Sequence, residues 1–255
     1  MPEARPANGF RGGTLLRFGV VSSTMDVAKS QPASTDFVTV VAASQTAGRG
    51  RYERTWMSPT NGGVYLTVRM PWNRPIQQAP LVSVAAAIAL ARVAGEIGCR
   101  DVVLKWPNDL LVGGRKAAGI LAEMSTTPDG SCLLVGVGIN VSIPADTLAK
   151  VGQPAVSLSQ ACGNPLDPEQ ILSNFLSHWS SLDTTLETEG FGPLAREFRR
   201  STDLPGRRFR LSSGTAEVDV EVRDIRDDGS LEVQYLSSGE IAAVFGGELL
   251  PLGGP

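Results

Sequence analysis

Lys105-Trp-Pro-Asn-Asp109 sets an ammonium, an indole, an amide and a carboxylate within five residues of a 255-residue chain. A second stretch, residues 44–56, carries Arg49, Arg51 and Arg54 against Glu53, with Gly48 and Gly50 interleaved and Trp56 at its end. Guanidinium forks pair with carboxylate and phosphate oxygens, while glycines let backbone approach a ligand closely. Trp56 offers a flat face to a heterocycle or to an arginine. Lys105, Arg115 and Lys116 outnumber Asp109 as the three arginines outnumber Glu53, so both clusters are cationic in a chain of net charge -3. The arginine stretch suits a mobile loop that binds an anion. Each stretch also has a plainer reading: a hairpin turn whose Asn108 and Asp109 bond their own backbone, and a solvated Gly-Arg turn.

Composition narrows the chemistry. An apolar fraction of 42% with 19% charged residues is that of a globular protein long enough for a large domain and a small one. The acidic balance argues against general nucleic-acid binding. Cys99, Cys132 and Cys162 are widely spaced, without a C-x-x-C, so neither a disulfide framework nor a zinc site is expected and the compartment reads as reducing. His178 is the one histidine and lies in an apolar-periodic segment, which leaves no His-based triad. No G-x-x-x-x-G-K-[ST] occurs, and Gly136-Val-Gly138 lacks the third glycine of a dinucleotide fingerprint. The N-terminus has no apolar run suited to a signal peptide or membrane span, so a cytoplasmic protein is expected.

The elements that must position these residues follow from period and punctuation. Residues 1–13 read as a flexible lead-in, and residues 14–20 as a first strand. Ser22-Ser-Thr24 then caps a short helix whose N-terminus could also hydrogen-bond a polar ligand. The apolar run 37–43 is a doubly buried strand, and residues 62–70 form another. An Ala-rich segment from 78 to 99 has helical spacing and reads as the central core helix. Pro107 breaks any helix across Lys105 and Asp109, giving strand-turn-strand over 102–112, and Gly113-Gly114 supplies a hairpin turn. Gly119, Gly136 and Gly138 lie inside the following strands, where glycine marks a bulge or a pocket floor.

Residues 142–166 read as a connection. Asp167-Pro168 caps a long amphipathic helix ended by Gly190, with Gln170 placed for a capping box, and a shorter helix covers 194–200. A boundary near Pro205-Gly206 precedes a small all-β unit with turns at three Gly-containing tripeptides. The expected organisation is a lead-in (1–13), a catalytic domain (14–204) and a C-terminal domain (205–255).

Taken in order, Gly48-Arg-Gly-Arg51 ending at Trp56, Lys105-Trp-Pro-Asn-Asp109, Arg115-Lys-Ala-Ala-Gly-Ile-Leu-Ala-Glu123, Val135-Gly-Val-Gly-Ile-Asn140 and Gly246-Gly-Glu248 resemble the biotin protein ligases. The resemblance implies an α/β (α+β) catalytic domain with a central mixed sheet and an SH3-like C-terminal barrel. It also implies that biotin and ATP, with Mg2+, give biotinyl-5'-adenylate, and that biotin then passes to a lysine of a biotin carboxyl carrier domain. Ser23, Thr24, Gln45, Gly48, Arg49, Gly50, Arg51, Lys116, Gly119, Gly136 and Asn140 fall at the family's biotin or adenylate contacts. Trp56 falls where the adenine stacks, and Asn108 and Asp109 near the phosphates and the metal.

Lys116 is expected to bridge the biotin carboxylate and the α-phosphate, Arg51 to close over the intermediate, and Asp109 to bind metal or help deprotonate the acceptor. Met25 departs from the family's usual asparagine, and Tyr52-Glu53 from a more basic or glycine-containing pair. Barely a dozen residues precede the first strand, which leaves no room for a helix-turn-helix domain, so no DNA partner is expected. The state is monomer or homodimer. A lipoate or octanoate ligase of related fold is the nearest alternative, and a non-catalytic RNA- or ligand-binding module a more distant one.

Overall fold

The computed structural model of the chain describes residues 3–5, 9–32, 36–127, 130–213 and 216–252. Eight strands form one mixed sheet: β1 (Glu3–Arg5), β2 (Thr14–Val21), β3 (Val38–Gln45), β4 (Gly63–Pro71), β5 (Val102–Lys105), β6 (Asp109–Val112), β7 (Arg115–Thr127) and β8 (Gly130–Asn140). Their order is β1-β2-β3-β4-β8-β7-β6-β5. Only β2 and β3 run parallel, because helix α1 (Thr24–Lys29) carries the chain across between them. The hairpin between β6 and β7 turns on Gly113 (φ 55) and Gly114 (φ 71), the two positive angles that a tight type I′ turn requires.

Alternation along β4 divides the protein. Val64, Leu66, Val68 and Met70 join the main core beneath α2 (Ala79–Glu96) and α5 (Pro168–Glu189). Thr67, on the other face, meets Thr24 of α1. One face of the sheet thus carries the helices, and the other, roofed only in part by α1, carries the cleft described below. Helix α2, with its preceding turn, is long and apolar enough to cross a membrane by length and composition; 72% of that window is buried, as a core helix requires.

Three expectations need correction. The lead-in is structured where it is described: β1 pairs with β2, and Phe10 is fully buried against Phe37 and Trp179 at centroid distances of 5.3 and 4.5 Å. The connection 142–166 holds two short helices, α3 (Ala145–Leu148) and α4 (Leu158–Cys162); at the second, Gln160 accepts from the Ser157 amide. At Asp167 the carboxylate does accept from the Glu169 amide, but Gln170 turns away to Asn174 and completes no capping box.

Arg11 reaches the fully buried Asp183 of α5 at 2.9 Å, and Arg74 reaches the same carboxylate at 3.1 Å. Breaking a buried ion pair by removing one partner costs about 3–5 kcal/mol. Asp183→Ala is therefore expected to lower the free energy of unfolding by an amount in that range, read as a lower denaturant midpoint at unchanged m, and an unchanged midpoint would refute the assignment.

Helix α6 (Gly192–Ser201) leads into five antiparallel strands, β9 (Arg208–Ser213), β10 (Ala216–Ile225), β11 (Leu231–Tyr235), β12 (Ile241–Val244) and β13 (Glu248–Pro251), ordered β12-β11-β10-β9-β13. Their buried side chains, among them Phe209, Leu211, Val222 and Leu249, are continuous with the main core. The Asp227-Asp-Gly229 turn sits so close to α2 that a Cβ on Gly229 would lie 2.1 Å from Leu81 Cδ2. This docking fixes where Gly247 and Glu248 project.

Candidate active site

A cleft open to solvent lies on the sheet face away from α2 and α5. Its closed end is polar. Ser23 caps α1, its hydroxyl oxygen accepting from the Met25 amide at 3.2 Å, which leaves the hydroxyl proton free to donate. Thr67 donates to Thr24 Oγ1 at 2.8 Å, and the Thr24 hydroxyl and amide both donate to Gln45 Oε1. Gln45 Nε2 passes the chain on to Ser58 Oγ at 2.8 Å. Such a network fixes each side chain in one orientation and can recognise a compact polar group.

The floor is glycine because two side chains occupy the space above it. A Cβ on Gly138 would lie 2.2 Å from Trp56 Cε2, one on Gly119 3.0 Å from Trp56 Cζ3, and one on Gly136 2.9 Å from Met25 Sδ. Trp56 therefore lies flat on β7 and β8, with Lys116 Nζ 5.5 Å from its ring centroid.

Lys116 reaches the cleft through a β-bulge. Regular alternation would send Lys116 and Gly119, three residues apart, to opposite faces. Where β6 meets β7 the register passes from Leu110↔Ala118 to Leu111↔Lys116, so Ala117 is the extra residue and Lys116 turns to the side of Gly119. Nζ meets Asp109 Oδ1 at 2.8 Å, with both side chains mostly buried. The Lys116 backbone is gripped by residues 154–156, its amide donating to Pro154 O and its carbonyl accepting from the Val156 amide. Asn140 does not line the cleft: its Nδ2 sits 3.4 Å from Lys116 O and 3.3 Å from Val156 O, supporting that strand from behind. Behind Trp56 a second, smaller hollow, also open to solvent, is bordered by Asn140, Leu148, Val151 and Gln153.

Asn108 is bolted to β7 by Nδ2 donating to Ile120 O at 2.8 Å, and its Oδ1 accepts from Arg51 Nη1 at 2.9 Å. Arg51 Nη2 also donates to Gly247 O at 3.0 Å, while Arg54 forms two bonds to Glu248, which raise the arginine's pKa. The arginine loop thus bridges the mouth to the C-terminal strands. Arg49 turns to Asp26 at 3.0 Å, and Gly48 closes the base of the loop under Trp56 rather than lining the cleft.

Of the residues singled out in the sequence, Ser23, Thr24, Gln45, Arg49, Gly50, Arg51, Trp56, Asn108, Asp109, Lys116, Gly119 and Gly136 share the cleft wall, as do Met25 and Tyr52. Gly138, Gln153 and Lys105 also line it without having been assigned to a site, and Ser58 and Thr67 support its polar end. Gly138 carried a signal as a strand glycine two residues from Gly136, and Lys105 as the ammonium of the Lys105–Asp109 stretch; Gln153, Ser58 and Thr67 carried none. Among the described residues no three His, Cys, Asp or Glu side chains gather as metal ligands. Asp109 and Glu248, the carboxylates of the cleft wall, are each paired with a cation, so the side chains present do not build a resident metal site. His178 bonds Glu96 away from the cleft, and burial beside Cys162 pushes the Cys99 thiol up to about 12, which keeps it protonated at neutral pH.

The sequence profile of the biotin/lipoate A/B protein ligase family matches residues 18–140. The biotin--[acetyl-CoA-carboxylase] ligase of Paracoccus denitrificans is 32% identical over 216 residues, 82% of this chain and 89% of that protein. Its counterpart from Mycobacterium tuberculosis is 32% identical over 226 residues, covering 86% and 81%. The bifunctional ligase/repressor BirA of Bacillus subtilis is 34% identical over 187 residues, 72% of this chain; the chain spans 58% of the length of that protein. Among solved structures, biotin protein ligase from Aquifex aeolicus in complex with biotin and ATP superimposes with a TM-score of 0.75 at 24% identity, covering 92% of this chain and 97% of that one.

Proposed function

We propose a function that proceeds from one premise: this chain belongs to the biotin protein ligase family. It activates biotin with ATP and transfers it to a lysine of a carboxylase's biotin carboxyl carrier domain. The observation that carries this reading is that Lys116 and Trp56 border both the polar-ended cleft and the hollow behind it. A carboxylate entering along the first and a nucleotide seated in the second would meet at the Lys116 ammonium.

The polar end suits a ureido ring, whose carbonyl accepts and whose two N–H groups donate: the Ser23 hydroxyl has a proton to give, and the Thr24–Gln45–Ser58 chain supplies fixed dipoles. A simple aliphatic acid would offer no acceptor to the buried Ser23 hydroxyl proton, which costs binding free energy. In the first step a biotin carboxylate oxygen bonds to the α-phosphorus and the bond to the β-phosphate bridge breaks, releasing pyrophosphate. Two anions approach, and Lys116 offsets their repulsion. In the second, the acceptor amine attacks the acyl carbon and AMP departs with the electron pair. Asp109, released as Lys116 turns to phosphate, accepts the amine's proton. Magnesium enters on this reading with ATP, since the two carboxylates of the cleft wall, Asp109 and Glu248, are engaged in ion pairs.

The same proposal takes residues 14–204 as the catalytic domain, residues 205–255 as a small SH3-like barrel and the cytoplasm as the site of action. Gly206 at φ 80 supports the boundary. Monomer and homodimer are both compatible with the site.

The test is ATP–pyrophosphate exchange by the purified protein with magnesium and biotin, lipoate or octanoate added separately. Exchange that depends on biotin is expected. Exchange with lipoate or octanoate alone would replace the substrate, and none with any acid would overturn the ligase reading.

A further inference from the structure

At the tip of the arginine loop, Tyr52 (φ 54) and Glu53 (φ 58) both occupy left-handed backbone conformations that non-glycine residues seldom adopt. Two such residues in succession persist only where surrounding contacts over-determine them. The Tyr52 ring supplies such contacts. Its centroid lies 4.9 Å from Arg51 Cζ and 5.8 Å from Arg54 Cζ, and its hydroxyl accepts from Arg51 Nη2 at 3.0 Å. These are the two arginines that cross to the C-terminal strands, Arg51 to Gly247 O and Arg54 to Glu248. The base of the loop is closed independently, by Gly50 N donating to Arg54 O at 2.7 Å.

An arginine side chain has many rotamers, and holding one across a wet mouth is entropically unfavourable unless a rigid surface restricts it. A tyrosine has two side-chain torsions and presents both a π face and a hydroxyl, which suits it as that surface. We propose that Tyr52 is a positioning residue for Arg51. Ring and hydroxyl hold the guanidinium on Asn108 and Gly247, keep the loop shut and set the lifetime of the intermediate on the protein. This rests on the acyl-adenylate reading above. If the loop opens, the intermediate escapes, and water attacks its acyl carbon to give the free acid and AMP.

Two measurements test the role. In the first, wild type and variants are loaded with biotin and ATP, freed of excess nucleotide, and followed for release of biotinyl-adenylate into solution. Tyr52→Ala is expected to release it on the order of tenfold faster, as removal of one face of a closed contact would, with Tyr52→Phe between the two because it keeps the ring and loses the hydroxyl. Once Arg51→Ala is present, adding Tyr52→Ala should change release by much less than it does in wild type, since only the longer ring contact to Arg54, at 5.8 Å, is left to lose. A purely structural tip would add its effect to that of Arg51.

In the second, trypsin cleavage after Arg51 and Arg54 is followed without substrates and should accelerate in Tyr52→Ala. Release as slow as wild type, additive effects, or unchanged cleavage would each overturn the role. The tryptic readout needs no substrate, so a failure of the ligase reading, seen as absent biotin-dependent exchange in wild type, is distinguishable from a failure of Tyr52.

Discussion

Lys116→Ala is expected to slow biotin-dependent pyrophosphate exchange at saturating substrates by about a hundredfold or more, the usual loss when one donor to a developing anion is removed. The bulge at Ala117 aims this side chain into the cleft, and residues 154–156 hold its backbone through both its amide and its carbonyl. Lys105 also lines the cleft, but on β5 across the hairpin from Asp109. The effect should fall on kcat, because Lys116 acts where charge builds up rather than where biotin's ring is recognised. Exchange near the wild-type rate would remove Lys116 from the chemistry.

Asp109→Asn should act on the other half-reaction. An acceptor lysine with a reference pKa of about 10.4 is neutral in only about one molecule in a thousand at pH 7.4, so transfer without a base climbs with pH toward that value. If Asp109 takes the proton, its loss slows transfer to the carrier and moves the rise to higher pH. An identical pH–rate profile for wild type and Asp109→Asn would leave Asp109 only its ion pair with Lys116 at 2.8 Å.

Gly138→Ala is expected to raise the KM for ATP by roughly tenfold to a hundredfold, because the new methyl must push Trp56 off its seat and stacking of a base on an aromatic ring contributes about 1–3 kcal/mol. The closest approach, 2.2 Å to Trp56 Cε2, leaves no room for small adjustments. Gly136→Ala, two residues earlier on β8, meets Met25 Sδ at 2.9 Å instead and should act on biotin, since Met25 lies beside Ser23 and Thr24 at the polar end. The pair of variants thus separates the two substrates along one strand. Equal effects on both KM values from both substitutions would mean that the sheet as a whole had been distorted.

Much of this architecture was legible in the sequence because its signals are local. Gly113-Gly114 dictates a tight turn through backbone sterics, Pro107 forbids a helix across the Lys105 stretch, and the apolar period of residues 171–186 exposes one face of α5. The polar end of the cleft was also within reach, since Ser23 and Thr24 follow a strand as a helix cap must. Phe10 was not legible: Gly, Arg and Pro around it read as lead-in, and its burial depends on Phe37 and Trp179, which lie far along the chain. The helices within 142–166 were hidden because each is shorter than the two turns in which a period can show itself.

By itself, then, the sequence determined which residue types were available for the chemistry, two cationic stretches and a run of strand glycines, because charge and backbone freedom belong to a residue wherever it goes. Tertiary structure alone decided which of them face one another. The bulge that turns Lys116 toward Asp109 is a matter of register between strands, Gly138 is explained only by Trp56 lying on it, and Arg51 and Arg54 find Gly247 and Glu248 across almost two hundred residues. Such contacts are set by packing between distant segments, which leaves no period or spacing in the chain for a reader to find.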